Sequence, residues 1–245
     1  MTLTVKHLSG GYFQHPVLKD LNFEIENGEL VALIGLNGAG KSTTIKEIIG
    51  LLKPTSGSIE IDGLSLNKSA SQYRQKIGFI PESPVLYEEL TLREHIEVTA
   101  MAYDIPMDVA MQRADKLLKT FRLEKRLDWF PANFSKGMKQ KVMIVCAFLI
   151  EPSLYIIDEP FLGLDPLAIH ALLELLKEEK AKGKSILMST HVLSTAEKYC
   201  DRFVLLNSGH VTFKGSLQAM RAANNDQSAS LNDIYLSMAK GDRHE

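Results

Sequence analysis

The stretch Gly35-Leu36-Asn37-Gly38-Ala39-Gly40-Lys41-Ser42 decides how this chain folds. It fits the pattern G-x-x-x-x-G-K-[ST], in which glycines let the backbone curl until its N–H groups point at a phosphate. An apolar run at residues 30–34 leads into it and predicts a strand, while residues 43–49 lead out and predict a helix. That helix adds a positive N-terminus, Lys41 can reach the β- and γ-phosphates, and Ser42 offers a hydroxyl to Mg²⁺. The stretch therefore predicts a binding site for a nucleoside triphosphate.

The composition is that of an ordinary soluble globular protein, with 45% apolar residues in 245 and a formal net charge of −2. Because there is no basic surplus, we expect no nucleic-acid partner. The longest unbroken apolar run, residues 142–150, is too short to cross a bilayer, and the first residues lack the apolar stretch of a secretion signal. Two isolated cysteines, Cys146 and Cys200, suggest no disulfide framework. We therefore expect a cytoplasmic protein.

The pattern of apolar residues divides the rest of the chain into strands and helices. Strands are predicted within residues 2–25 and at 58–61, 77–80, 154–158, 185–189, 202–207 and 210–214. Helices are predicted at 93–103, 109–121, 137–150 and 166–182, and in pieces after 215 around a polar linker at 224–228. The strand–helix–strand order implies parallel strands and an α/β fold class. Asn27-Gly28 predicts a hairpin turn between the second strand and the strand at 30–34.

Two acids, Asp158 and Glu159, follow the apolar run at residues 154–157. Ligands of open α/β sheets sit at the carboxyl ends of strands, so we expect both acids to face the loop at 35–42. Because the chain can turn at a strand end, one acid can meet Mg²⁺ while the other meets an attacking water. Asp158 is the candidate for Mg²⁺, through a water, and Glu159 is the candidate general base. A solvated acid pair that caps the next turn is the alternative.

Two further polar positions suit the same site. His191 follows the strand at 185–189 and can donate to a γ-phosphate oxygen, which would sense whether that phosphate is present. Ser135 precedes a long predicted helix, whose N-terminus can bind an anion through its hydroxyl and N–H groups. Ser135 is also an ordinary helix cap, and the residues alone favour that interpretation.

With these motifs in order, the chain resembles the nucleotide-binding subunit of ATP-binding-cassette (ABC) transporters over nearly its whole length. The loop at 35–42 is similar to the family's Walker A loop, residues 154–159 to Walker B with its catalytic glutamate, residues 134–138 to a variant of the signature motif, residues 163–165 to the D-loop, and His191 to the switch histidine. Tyr12 aligns with the aromatic residue that stacks on adenine, and Val17 would flank the base.

This resemblance implies a P-loop NTPase fold with a RecA-like parallel-sheet core, an N-terminal antiparallel β-subdomain and an α-helical insert. The implied division is one ABC ATPase domain at 1–218, with its core at 1–81 and 152–218 and its helical subdomain at 82–151, and a partly helical tail at 219–245. The implied cofactors are ATP and Mg²⁺. The residues implied to contact ATP are Tyr12, Val17, Gly35, Leu36, Asn37, Gly38, Ala39, Gly40, Lys41, Ser42, Thr43, Ser135, Gly137, Met138 and Asp165. The implied catalytic residues are Glu159, His191 and Lys41, and the implied metal ligands are Ser42, Asp158 and Glu82.

Two departures from the family pattern narrow the resemblance. Pro81-Glu82 stands where many members have a glutamine that meets Mg²⁺, and a carboxylate is still a hard oxygen ligand. The signature reads Ser-Lys-Gly-Met instead of Ser-Gly-Gly-Gln, so Lys136 adds a positive charge. Together with residues 161–165, these variants resemble most the ATPase of Ecs-type ABC transporters.

The resemblance also implies that one chain holds half of an active site. Two copies would pair head to tail, with ATP between the Walker loop of one and Ser135 and Gly137 of the other. Hydrolysis would reopen the pair and drive an integral-membrane subunit, which places the chain on the inner face of the cell membrane. A short helix of that subunit would dock near Glu82, Ser83 and Tyr87.

Three other functions are considered. A soluble ABC ATPase of DNA repair or translation usually carries a coiled-coil insertion or two cassettes, whereas this chain has one compact cassette. A P-loop kinase or GTPase leaves residues 134–138 and His191 without a role, and the sequence has no guanine-reading Asn-Lys-x-Asp. A non-hydrolysing regulatory subunit is disfavoured by four intact residues, namely Lys41, Asp158, Glu159 and His191.

Overall fold

The computed structural model of the chain describes residues 1–13 and 15–241 and contains two sheets with helices around them. The strands are β1 (Leu3–Tyr12), β2 (His15–Ile25), β3 (Leu30–Gly35), β4 (Ser56–Ile61), β5 (Leu64–Ser65), β6 (Ile77–Ile80), β7 (Leu154–Asp158), β8 (Ser185–Ser189), β9 (Arg202–Asn207) and β10 (His210–Gly215). The helices are α1 (Lys41–Ile48), α2 (Ala70–Arg74), α3 (Leu92–Ala102), α4 (Met107–Phe121), α5 (Lys136–Leu149), α6 (Pro166–Ala181), α7 (Leu193–Tyr199), α8 (Leu217–Ala223) and α9 (Leu231–Gly241). None of the described helices is both long and apolar enough to cross a membrane.

The larger sheet has the order β10-β9-β3-β8-β7-β6 and is parallel except for β10, which pairs antiparallel with β9. Its central strands β3, β7 and β8 are buried at every position. Their continuous apolar sequence follows from this burial, since helices cover both faces of a parallel sheet. The α/β class predicted from the strand–helix–strand order is confirmed.

The smaller sheet is antiparallel, with the order β2-β1-β4-β5. The predicted hairpin at Asn27-Gly28 is wrong, because β2 pairs with β1 and β3 lies in the other sheet, between β8 and β9. The turn instead carries the chain from one sheet to the other. An Asn-Gly pair favours a tight turn but does not determine which strand the following strand pairs with. The unbroken apolar run of β3 is buried on both faces only when β3 lies between two neighbouring strands of the parallel sheet.

Helices α3, α4 and α5 pack together and share one core with the sheet. Thr91 and Glu94 form a capping box at the start of α3, each accepting a backbone N–H of the other. Apolar side chains of these helices, such as Leu118 and Ile144, belong to the same buried cluster as Tyr155 and Ile157 of β7. This continuity fixes the start of α5 relative to the sheet edge.

The end of the described chain packs onto the core. Leu231 and Ile234 of α9 are buried with Met220 of α8 against Ile34 of β3. Glu197 of α7 ties these helices together, since one of its oxygens pairs with Arg221 at 3.2 Å and the other accepts from the backbone N–H of Leu231 at 2.9 Å. Residues 217–241 are therefore attached to the sheet beside β3.

The parallel strands deliver four chain segments to one sheet edge. The carboxyl ends of β3, β8, β7 and β6 are neighbours, and they lead into residues 35–42, 189–191, 158–159 and 81–82. In open α/β sheets ligands bind at this edge. The order of the strands thus brings together segments that are up to about 150 residues apart in the chain.

Candidate nucleotide site

The loop between β3 and α1 curls around its glycines. Gly38 and Gly40 have φ values of 83° and 110°, in the region that favours glycine, and Gly40 is the residue before α1. The N–H of Ala39 donates to the carbonyl of Leu36 at 3.0 Å, and the carbonyl of Ala39 accepts from Gly209 at 3.1 Å. The β9–β10 turn therefore supports the loop from behind, and the loop geometry is that of an anion nest.

Lys41, the first residue of α1, is held over this loop. Its ammonium donates to the carbonyl of Gly35 at 2.7 Å and to that of Leu36 at 3.4 Å, and the residue is only 9% exposed. The loop's own carbonyls thus position the charge where phosphates at the helix N-terminus can meet it.

Ser189 at the end of β8 organises the two acids that end β7. Its hydroxyl donates to Asp158 Oδ1 at 2.5 Å and accepts from the backbone N–H of Glu159 at 3.1 Å. The parallel register pairs Asp158 with Ser189, which explains the contact. Glu159 itself has a φ of 47°, so the backbone turns at this residue and both carboxyl groups line the same cavity.

His191 contacts the second acid directly. Its Nδ1 lies 2.7 Å from Glu159 Oε2, and its backbone N–H donates to the same oxygen at 3.3 Å. The His191 side chain is 69% exposed, whereas that of Glu159 is 14% exposed. The imidazole thus reaches outward, at the mouth of the cavity, from a carboxylate that is largely shielded from solvent.

The side chains at the sheet edge line a cavity of about 390 Å³, here called the nucleotide cavity, whose walls are Asn37, Lys41, Ser42, Glu82, Asp158, Glu159, Leu162 and His191. Three carboxylates face one ammonium, so the cavity can accept a cation as well as a phosphate. Within the part of the chain that the structure describes, no three His, Cys, Asp or Glu side chains converge on a metal position. This donor set suits an ion that takes much of its coordination from phosphates and water, as Mg²⁺ does.

Tyr12 and Val17 lie beside the loop but do not line the nucleotide cavity. Lys46 of α1 donates to the Tyr12 hydroxyl at 3.0 Å, with its ammonium 5.4 Å from the ring centroid. The hydrogen bond from Lys46 lowers the pKa of Tyr12. Val17 borders Gly40, since a Cβ on that glycine would come 3.7 Å from Val17 Cγ1.

The signature segment, residues 135–138, lies elsewhere. Ser135 caps α5 by accepting from the N–H of Met138 at 3.3 Å, which confirms the helix-cap interpretation. Gly137 lies against the carbonyl of Gly163, because a Cβ there would come within 2.4 Å of that oxygen. Asp165 caps α6 and pairs with Lys141 of α5 at 2.7 Å, and this hydrogen bond lowers the pKa of Asp165. None of the predicted ATP contacts Ser135, Gly137, Met138 and Asp165 lines the nucleotide cavity.

Sequence reasoning assigned no role to three residues at the site. Ser189 positions both acids, Leu162 lines the nucleotide cavity, and Lys46 holds Tyr12. Ser189 has a recognisable signal, since it is a polar residue at the end of a buried strand. Leu162 and Lys46 have none, because their contacts depend on how distant segments fold together.

A model of the ABC transporter family matches residues 18–162. This chain belongs to the ABC transporter family. The matched stretch contains the phosphate loop at residues 35–42, the signature segment at 135–138, and the acids Asp158 and Glu159. The family resemblance inferred from the motifs is thereby confirmed.

Curated relatives agree over almost the whole chain. The ABC-type transporter ATP-binding protein EcsA of Bacillus subtilis (strain 168) is 58% identical over 240 residues, which are 98% of this chain and 97% of the relative. An uncharacterized ABC transporter ATP-binding protein of the same organism, YthP, is 43% identical over 227 residues, 93% of this chain and 92% of the relative. The similarity to Ecs-type ATPases is confirmed.

Solved structures support the same fold. An ATP-binding subunit of an ABC transporter, 59% identical, superposes with a TM-score of 0.95 over 98% of this chain and 100% of its own. The ATP-binding cassette MJ0796, a dimer in a post-hydrolysis state bound to ADP and phosphate, is 28% identical with a TM-score of 0.78, over 88% of this chain and 98% of its own. This ABC protein is the ATP-binding subunit of a transporter and hydrolyses ATP to ADP and phosphate.

Proposed function

We propose that two copies of this ABC subunit pair head to tail and bury ATP between them. The observation that supports the pair is the separation within one chain: the nucleotide cavity holds the catalytic side chains, while the signature segment lies outside it. Ser135 and Gly137 sit at the start of α5, where N–H groups offer a second anion site. A second copy supplies that site across the mouth of the cavity.

Within the pair, each side chain has a separate task. Lys41 neutralises the β- and γ-phosphates, and the loop N–H groups cradle them. Glu159 orients the attacking water and accepts its proton. Its Oε2 lies 2.7 Å from His191 Nδ1, and this contact positions the carboxylate at the cavity mouth. His191 donates to the γ-phosphate. Tyr12 stacks on adenine, with Val17 at the edge of the base.

Ser42, Asp158 and Glu82 would hold Mg²⁺ in the nucleotide cavity. The ion supplies charge neutralisation at the β- and γ-phosphate oxygens. Ser189 keeps Asp158 oriented, because its hydroxyl occupies one carboxylate oxygen. Ser42 and Glu82 are exposed side chains of the cavity wall, so both are accessible to an ion that enters with the nucleotide.

The pair drives an integral-membrane subunit and sits on the inner face of the membrane. Exposed apolar side chains follow Glu82 directly, since Val85 is 75% exposed and Tyr87 is 65% exposed. Such residues mark an interaction surface when they lie together. A short helix of the membrane subunit docks here, between the helical residues and the sheet edge.

Turnover measured over a dilution series tests the pair. Specific activity is expected to rise with protein concentration, because only paired copies form a complete site. Full phosphate release from isolated protomers, independent of concentration, would overturn the proposal. Purification from solubilised membranes tests the partner: a multi-span protein is expected to accompany the chain, and a Tyr87→Asp variant is expected to lose it.

A further inference from the structure

A second pocket lies against the nucleotide cavity. It measures about 440 Å³ and is lined by Ile34, Gly35, Leu36, Asn37, Thr190, His191, Leu193 and Tyr235. Asn37 and His191 belong to both spaces, so they form a shared wall. Leu36 presents an apolar side chain here that is 53% exposed. The pocket therefore adjoins the nucleotide cavity directly.

Tyr235 enters this pocket from the C-terminal helix α9. The helix is anchored by the preceding residue Ile234, which is 2% exposed, and by Leu231, which is fully buried. Glu197 joins it to α7, which begins two residues after His191. Burial raises the pKa of Tyr235, consistent with its packing into the wall. The position of Tyr235 is thus linked to that of His191.

The segment at residues 162–167 carries exposed apolar side chains that suit the second pocket. Leu162 is 43% exposed and Leu167 is 63% exposed, on either side of the D-loop. The same segment is attached to the start of α5 twice, through the carbonyl of Gly163 against Gly137 and through the ion pair of Asp165 with Lys141. Any movement that brings the signature segment over a second copy's cavity therefore brings residues 162–167 with it.

We propose that Tyr235, Leu36 and Leu193 form a docking surface for residues 162–167 of a second copy, so that α9 takes part in ATP-dependent pairing. The inference rests on the proposed head-to-tail pair. Because the cavity and the pocket share Asn37 and His191, a copy that covers one also meets the other. The exposed leucines then lose their contact with water, which stabilises the closed pair.

Cross-linking tests this contact in a Glu159→Gln background, in which the ATP-bound pair accumulates. Tyr235→Cys combined with Leu162→Cys is expected to give a covalent dimer with a short bismaleimide when ATP is added. The matched control is Leu236→Cys with Leu162→Cys, since Leu236 is the next residue of α9, is 46% exposed and does not line the pocket. Burial raises the pKa of Cys146 to about 11 and also raises that of Cys200, so the native thiols stay protonated and unreactive.

Side-chain truncation gives an independent readout. Tyr235→Ala is expected to raise the protein concentration for half-maximal ATP-dependent pairing about tenfold, as loss of a buried aromatic contact does. Tyr235→Phe and Leu236→Ala are expected to pair like the parent. Absence of ATP-dependent pairing in the Glu159→Gln parent would overturn both the proposed function and this inference. Pairing with equal cross-linking at positions 235 and 236, and no effect of Tyr235→Ala, would overturn the inference alone.

Discussion

The nucleotide cavity and the signature segment are built in opposite ways. In the nucleotide cavity, segments from four strands converge and hold one another, as Ser189 holds both acids and His191 holds Glu159. The signature segment belongs to one helix start, where Ser135 caps its own helix and Gly137 lies against the carbonyl of Gly163. One region gathers its ionisable side chains around a single cavity within the chain, whereas the other is a helix N-terminus that lies outside that cavity.

In the proposed pair these two regions have separate tasks: the nucleotide cavity carries out hydrolysis, and the signature segment controls when hydrolysis occurs. The cavity of a single chain already contains the Lys41 ammonium, three carboxylates and His191. In the proposed pair a second copy completes the anion site, so pairing would be the controlled step. Four experiments test the contrast between the two regions.

The largest effect is expected from Glu159→Gln in the cavity. Loss of the general base should reduce ATP turnover by about 10²–10⁴-fold while ATP binding and pairing remain. Phosphate release and size-exclusion chromatography with ATP measure the two properties separately. Glu89→Gln, a change at an exposed glutamate outside the cavity, is the control and should leave turnover unchanged. Turnover like that of the parent would remove Glu159 from the base role.

Mixing two inactive variants tests the division itself. Lys41→Ala should lose ATP binding, measured by calorimetry, and Ser135→Phe should block the signature segment. A one-to-one mixture is expected to regain about a quarter of the parent's turnover, because half of the pairs are mixed and each mixed pair has one intact site. Unchanged ATP affinity in Lys41→Ala would contradict the loop assignment. A mixture that stays inactive although mixed pairs form with ATP would contradict the shared site.

The two regions also differ in the buried groups on their helices. Glu47 of α1 and Gln140 of α5 are each 1% exposed, and each has a buried oxygen without a hydrogen-bond partner among the described residues. Only Glu47 can ionise, and burial raises its pKa to about 7 from the ordinary 4.5. Between these values the unfolded chain releases the proton while the folded chain keeps it, so stability falls as the pH rises.

Replacing Glu47 by Met should therefore stabilise the chain in a pH-dependent way. The gain in the free energy of unfolding over the parent is expected to grow by up to about 3 kcal/mol between pH 5 and pH 8 and to level off above that. Thermal melts at several pH values measure it, with Glu89→Gln as the control at an exposed glutamate. A constant difference between Glu47→Met and the parent at all pH values would mean that Glu47 is already neutral or solvated.

The smallest effect is expected at Lys46, which contacts Tyr12, the residue proposed to stack on adenine. Lys46→Met removes the hydrogen bond to Tyr12, so the KM for ATP should rise about fivefold while kcat stays the same. Lys46→Arg keeps a donor and should restore part of the affinity. An unchanged KM in Lys46→Met would show that Tyr12 needs no support from α1. A fall in kcat instead would assign Lys46 to the chemical step.

The local sequence predicted much of the fold because its apolar residues follow clear helix and strand spacings. The runs that became β6, β7, β8 and β9 were predicted to the residue, since short continuous apolar stretches bounded by turns suit buried strands. The ends of α3, α4, α5 and α6 were predicted within two residues. The turn at Asn27-Gly28 was also predicted, but its hairpin was not formed, because a turn residue sets local curvature and not the partner of the next strand.

What this sequence determined by itself is the chemistry of the phosphate loop, since glycines, a lysine and a serine at fixed spacing act through neighbouring backbone atoms. Only the tertiary structure decided which distant groups share a space. Ser189 contacts Asp158 because β7 and β8 are neighbours in the sheet. Tyr235 lies in the same pocket as His191 because α9 packs against the sheet. Side chains separated by tens of residues are brought together by burial of the elements that carry them, and this burial is a property of the whole chain.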